Sequence, residues 1–289
     1  MNWFPIALAC ALFAACADAT SKKIMEENDE WITGTGVLIV ASLLLVPVVV
    51  TLDFGPVSWD LVTLLAVALP LEVLGFYLFL SAIRMAPLSL TVPLLAFTPV
   101  LTIGTSAVLL GERISTVGTI GILLVTAGAY LLNGDLISRN LLAPITAIFS
   151  NPGSRRMLMT ACIWAFTSTL GKKGILIYGA LPFGMILLYG IVVLFAAISA
   201  VRAGKGLVTV SFSRKNLALL LLAGFFLAGM HVTHFVSLSM APVAYMISVK
   251  RLSMLFGVIL GRVVFHEANI RYRLVGASIM VSGVFLIYL

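Results

Sequence analysis

Runs of about twenty apolar residues recur along the whole chain, each closed by charges, turn residues or proline. A run of that length crosses a hydrocarbon layer as a helix rising about 1.5 Å per residue. Breaking the chain at its polar punctuation predicts ten helices, at approximately 3–25, 32–52, 61–83, 88–110, 114–132, 157–177, 181–201, 216–238, 243–265 and 270–289. Trp3, Trp31 and Trp59 fall at predicted span ends, where an interfacial aromatic belt is expected. Between the fifth and sixth spans, "LISRNLLAPITAIFS" is expected to lie on the membrane as a short amphipathic helix.

The pattern also repeats. Residues 85–131 align without gaps to residues 240–286, so that Met85-Ala86-Pro87 meets Met240-Ala241-Pro242 and Glu112 meets Glu267. Gly121 meets Gly276 and Gly128 meets Gly283, and further upstream Lys22-Lys23 meets Lys172-Lys173. The expected fold is therefore all-α and integral to the membrane, with ten transmembrane helices in two repeats, residues 1–134 and 157–289, joined by a connecting segment at 135–156. With five spans per half, the second must enter from the opposite face, which makes the repeats inverted. Secondary transporters use that architecture for alternating access, with the substrate site near the midplane.

Composition agrees with the membrane reading: 61% of residues are hydrophobic and only 10% charged. A soluble chain carries about a quarter charged residues. The net charge of +7 comes mostly from short loops, as topology rules expect, so a nucleic-acid partner is excluded. Cys10, Cys16 and Cys162 sit inside apolar segments without metal spacing and read as packing residues. "ALFAACADA" imitates a cleavage site, but no basic residue precedes it, and the segment is expected to stay as the first helix.

Several landmarks together resemble the EamA-type branch of the drug/metabolite transporter superfamily. They are "MAP" before the fourth and ninth helices, "GERIS" and "HEANI" after them, the glycine pairs that follow, and Trp164 with Lys172-Lys173 in the sixth helix. Ala14 stands where the first half would repeat Trp164. The resemblance implies a ten-helix bundle in which helices one to four and six to nine surround a central cavity, with the fifth and tenth peripheral. It also implies a bacterial inner membrane and both termini in the cytoplasm, whereas the distribution of Lys and Arg over the loops favours both termini outside. Orientation stays open between the two.

Ionisable groups within spans cost roughly 2.5–3.5 kcal/mol each on insertion, so each needs a reason. Lys250 and Arg251 lie about 12 Å into the ninth span. Their counterparts, Leu95 and Ala96, are apolar, so the fold itself does not demand the pair. In one reading the pair meets an anionic group of a substrate; in the other it is tied permanently to Glu72 or Asp18. Neighbours on a helix point about 100° apart, so at most one of the two is expected to face the cavity squarely. Ser253, Gly257 and Gly261 form a small-residue stripe suited to close helix packing.

Glu72 follows Pro70 and is a candidate for proton or cation coupling; Asp18 is a second candidate, or pairs with Lys22 one turn on. His231 and His234 share one face of the eighth helix, as cavity lining, relay or packing; no third ligand makes them a metal site. Thr98, Thr102 and Thr105 are expected to offer hydroxyls beside the kinks of Pro87, Pro93 and Pro99. Glu112 and Glu267 are expected to be structural, at helix ends.

The function this predicts is secondary transport of a small solute, anionic or zwitterionic, with a carboxylate or phosphate. Lys250, Arg251, Glu72, His231 and His234 are its expected substrate contacts, and Glu72 or Asp18 its proton-coupling group. No cofactor is expected, since no nucleotide-binding loop exists. By resemblance, export is favoured over import. The alternatives are a cation or drug exporter centred on Glu72, a lipid-phosphate flippase, and, from another class, a membrane-embedded lipid-modifying enzyme, for which no acid–base pair or metal set is assembled.

Overall fold

The computed structural model describes residues 2–86, 91–132, 151–209, 211, 213–257 and 271–288, with the backbone alone at 271–274. Every regular element among the described residues is helical. The helices are α1 (Trp3–Ile24), α2 (Glu30–Val50), α3 (Trp59–Met85), α4 (Phe97–Leu110, entered through a 3₁₀ turn at Val92–Ala96), α5 (Thr116–Leu131), α6 (Pro152–Tyr178), α7 (Ala180–Gly204), α8 (Arg214–Met240), α9 (Val243–Lys250) and α10 (Arg271–Tyr288). Six of these segments are long and apolar enough to cross a membrane. The protein is a multi-pass integral membrane protein.

Local chemistry explains where the helices begin. Side chains of Asn2, Asp29, Ser58, Ser115, Asn151 and Ser213 each accept a backbone N–H of the first turn that follows. Asn151 followed by Pro152 starts α6 five residues before the expected position, an N-cap with proline at the first helical residue. The expected amphipathic segment falls at 136–150, outside the described residues, as do Pro87, Gly261 and Glu267.

The packing follows the repeat. α1 packs along α8 and α3 along α6, and each pair becomes the other when the halves are exchanged; α5 packs on α10. At that last crossing a Cβ on Gly121 would lie 2.6 Å from the Gly283 carbonyl oxygen, and one on Gly283 would lie 2.6 Å from that of Gly121. Gly128 and Gly276 oppose each other in the same way, again at 2.6 Å. Gly121 faces Gly283 while Gly128 faces Gly276, so the two helices run antiparallel, and the half-exchange turns one glycine pair into the other. The chain ends meet on one face, where Asn2 Nδ2 donates to Tyr288 Oη at 2.9 Å.

A second duplicated device sits at the "MAP" turns. Lys22 Nζ donates to the Ala86 carbonyl at 3.1 Å, closing the end of α3. Lys172 Nζ donates to the carbonyls of Leu238, Ser239 and Ala241 at 2.7, 3.2 and 3.1 Å, closing the end of α8 on the opposite face. Beside it, Glu112 Oε2 accepts the Val243 N–H at 3.0 Å and caps the start of α9, the structural role expected of it. Charge-assisted bonds to orphan helix-end carbonyls contribute about 1.5–3 kcal/mol each. Lys172→Met is expected to lower stability by about 2 kcal/mol, read as a drop in the unfolding midpoint of the detergent-solubilised protein.

Three expectations are corrected. Trp31 does not belong to an interfacial belt: it is buried, stacked on Tyr77 and tilted against Phe195 at 4.6 Å from each, with Arg202 5.5 Å from its ring centre. The threonines of α4 turn away from the cavity. Thr102 Oγ1 donates to Thr98 O, and Thr105 Oγ1 bonds Thr169 and the Ala165 carbonyl, tying α4 to α6. Among the described residues nothing lies within 4 Å of a Cβ on Gly257, and Ser253 lines the cavity in place of a helix contact.

Candidate functional site

A cavity of about 160 Å³ is lined by residues of both halves of the chain. Residues of α1, α2, α3, α6, α7, α8 and α9 line it, together with Leu95 of the 3₁₀ turn and Arg251 and Ser253 just after α9; among the described residues none of the lining comes from α5 or α10. That is the arrangement which the resemblance implied.

All six ionisable candidates reach this space: Asp18 from α1, Glu72 from α3, His231 and His234 from α8, Lys250 from the end of α9 and Arg251 just after it. Its apolar wall is Phe76, Phe79, Trp164 and Phe235, with the Phe79 and Trp164 rings 5.2 Å apart. Ala14, the repeat counterpart of Trp164, also lines the cavity, so one half supplies the indole and the other supplies room.

Both Lys250 and Arg251 line the cavity, which corrects the expectation of one. The long aliphatic stems of two neighbours converge on the same space from different directions. Regular helix is interrupted after Lys250 and resumes at residues 253–257: Leu252 N–H bonds Val249 O, and Leu255 N–H bonds Leu252 O at 2.9 Å, the i→i−3 spacing of a local tighter turn. The matching place in the first half is the 3₁₀ turn Val92–Ala96, so both halves change helical pitch here. The sequence pattern of an unbroken ninth span carried no sign of it.

The partners of the charges differ from expectation. Among the described residues, Lys250 and Arg251 form no ion pair within 4.0 Å with Asp18 or Glu72. Asp18 faces both cations across open space, and Glu72 faces Lys250 with Thr167 beside it. The permanent tie of one alternative is therefore not formed in this state. Lys22, which was a possible partner of Asp18, is directed at the Ala86 carbonyl.

The two histidines have separate environments. His231, 8% exposed, bonds the Gly184 carbonyl through Nε2 at 2.8 Å and packs on Phe235. His234 Nδ1 lies 3.4 Å from Lys250 Nζ. An ammonium can only donate, so Nδ1 of His234 is the accepting nitrogen. Among the described residues no group of three potential ligands could hold a metal ion.

Two comparisons bear on identity. One solved crystal structure of another protein superposes with a TM-score of 0.76 at 15% identity, over 98% of this chain and 95% of its own. At that identity the likeness shows the fold alone. No match was found among proteins of curated function. The EamA-like transporter family matches residues 1–134, which is consistent with an EamA-type member of the drug/metabolite transporter superfamily.

Proposed function

We propose that the protein is a secondary transporter, working by alternating access, of a small organic solute that carries a carboxylate or phosphate. The observation that carries this reading is the cavity itself, where two cations and two carboxylates face one another without pairing. Charges buried in a bilayer are costly unless they serve a substrate or ion path. The apolar wall of Phe76, Phe79, Trp164 and Phe235 lowers the local dielectric and strengthens their pull on an anionic group.

The two halves serve as inverted repeats, residues 1–134 and 157–289. Support comes from the antiparallel α5–α10 crossing and from Lys22 and Lys172 closing matched helix ends on opposite faces. Such repeats rock against each other around a fixed site. By family resemblance the membrane is the inner one of a bacterium and the direction is export, with Glu72 or Asp18 able to exchange a proton as the surroundings change.

The test is a ligand screen on purified protein. Small carboxylates and phosphates are expected to raise the unfolding midpoint of wild type, and the rise is expected to shrink in both Lys250→Ala and Arg251→Ala. A screen in which organic cations alone stabilise the protein sinks the reading. Uptake into proteoliposomes, with and without a proton gradient, then reads coupling.

A further inference from the structure

Resting on that reading, we propose that the adjacent cations divide the work: Arg251 takes a substrate carboxylate side-on through its Nε–H and Nη–H donors. His234 is a positioning residue that holds Lys250 to one side.

The two cations are differently engaged. Arg251 is 4% exposed, and its Nε is buried without a partner; its guanidinium makes no hydrogen bond or ion pair with any described residue. A guanidinium brings five donors and no acceptor, and one buried without a partner is unfavourable until an anion arrives. Lys250 already spends a donor on His234. His234 is itself held on a rigid face, since His231 one turn earlier is bonded to the Gly184 carbonyl across to α7.

The geometry of the vacant group selects its ligand. A planar guanidinium fork matches the two oxygens of a carboxylate, whereas an ammonium acts as a point charge. The groups facing Arg251 and Lys250 are Asp18 and Cys10 from α1, Glu72 from α3, and the two histidines from α8. The two cations and the two carboxylates already offset each other, so a bound anion adds net negative charge; a singly charged carboxylate adds less, and meets less repulsion from Asp18 and Glu72, than a doubly charged phosphate.

The experiment uses small α-amino and α-keto acids, each beside its amide and its phosphonate, on the intact purified protein. Wild type is expected to bind the acids and not the amides. Arg251→Lys keeps the charge but loses the fork, and is expected to weaken acid binding roughly tenfold or more. Lys250→Gln is expected to weaken it by less. His234→Phe releases Lys250 and is expected to lower the preference for carboxylate over phosphonate, a ratio that a loss of stability alone does not move. His234→Asn, which restores an acceptor, is expected to recover that ratio.

Full acid binding in Arg251→Lys together with its loss in Lys250→Gln overturns the assignment while leaving the transport reading intact. An unchanged ratio in His234→Phe overturns the positioning role even if Arg251→Lys fails to fold. Wild type that binds no acid of the panel brings down the transport reading beneath both.

Discussion

Gly128→Leu is expected to abolish the native packing of the bundle, or to leave a protein destabilised by about 3 kcal/mol or more. Even the first added carbon would sit 2.6 Å from the Gly276 carbonyl oxygen and 2.7 Å from both Met280 N and Met280 Cγ. Two of those three atoms are backbone, so no rotamer change relieves the clash; α5 and α10 must move apart. In lipid that separation is expensive in a particular way. There is little hydrophobic force to draw helices together, and close backbone approach at small residues supplies much of their association. Gly104→Ala in α4 is the control, because a Cβ there meets nothing described within 4 Å and alanine favours the helix. Monodispersity and the unfolding midpoint in detergent check both. A Gly128→Leu protein that keeps the wild-type midpoint would show that the α5–α10 crossing does not hold the halves together.

Much of this architecture is legible in the residues, and the reasons differ between fold and site. Helix positions follow from apolar length and from punctuation, because a bilayer leaves the backbone no alternative to internal hydrogen bonding. The glycine matches at a constant offset turn out to be the contact points of one crossing. The six ionisable candidates meet because charge in a span is tolerated at few places, and a central cavity is one of them.

What stayed illegible depends on third dimensions that no period encodes. Trp31 looked interfacial from its place at a span end, yet Tyr77 and Phe195 from other helices bury it. Lys22 and Lys172 were legible as helix residues, but not their partners: each reaches a helix end brought beside it by tertiary packing. His231 and His234 are equivalent by spacing; the Gly184 carbonyl and Lys250 make them different. The change of helical pitch at Arg251 has no proline or glycine to announce it, unlike its first-half counterpart with Pro93.

Glu72→Gln is expected to separate the competing substrate classes by the sign of its effect. The replacement keeps the shape of the side chain and removes one negative charge from a cavity that also holds Asp18, Lys250 and Arg251. A carboxylate bound at Arg251 shares that space with Glu72, so losing the Glu72 charge removes a repulsion. For unit charges about 10 Å apart at an effective dielectric near 20, this amounts to roughly 1.5 kcal/mol, or about tenfold in affinity. The variant is therefore expected to bind a carboxylated solute more tightly and to release it more slowly. Its turnover in proteoliposomes is expected to fall even at saturating substrate, since a ligand held too firmly does not leave on the far side. If Glu72 also carries the exchanging proton, accumulation against a gradient is lost while counterflow persists, because exchange of one substrate for another needs no proton. A cation exporter centred on Glu72 behaves in the opposite way, losing binding of organic cations outright. Binding isotherms for one carboxylated and one cationic probe, on wild type and Glu72→Gln, read the sign directly. Tighter carboxylate binding supports Arg251 as the anchor, and weaker binding would mean that Glu72 holds the solute from the other end.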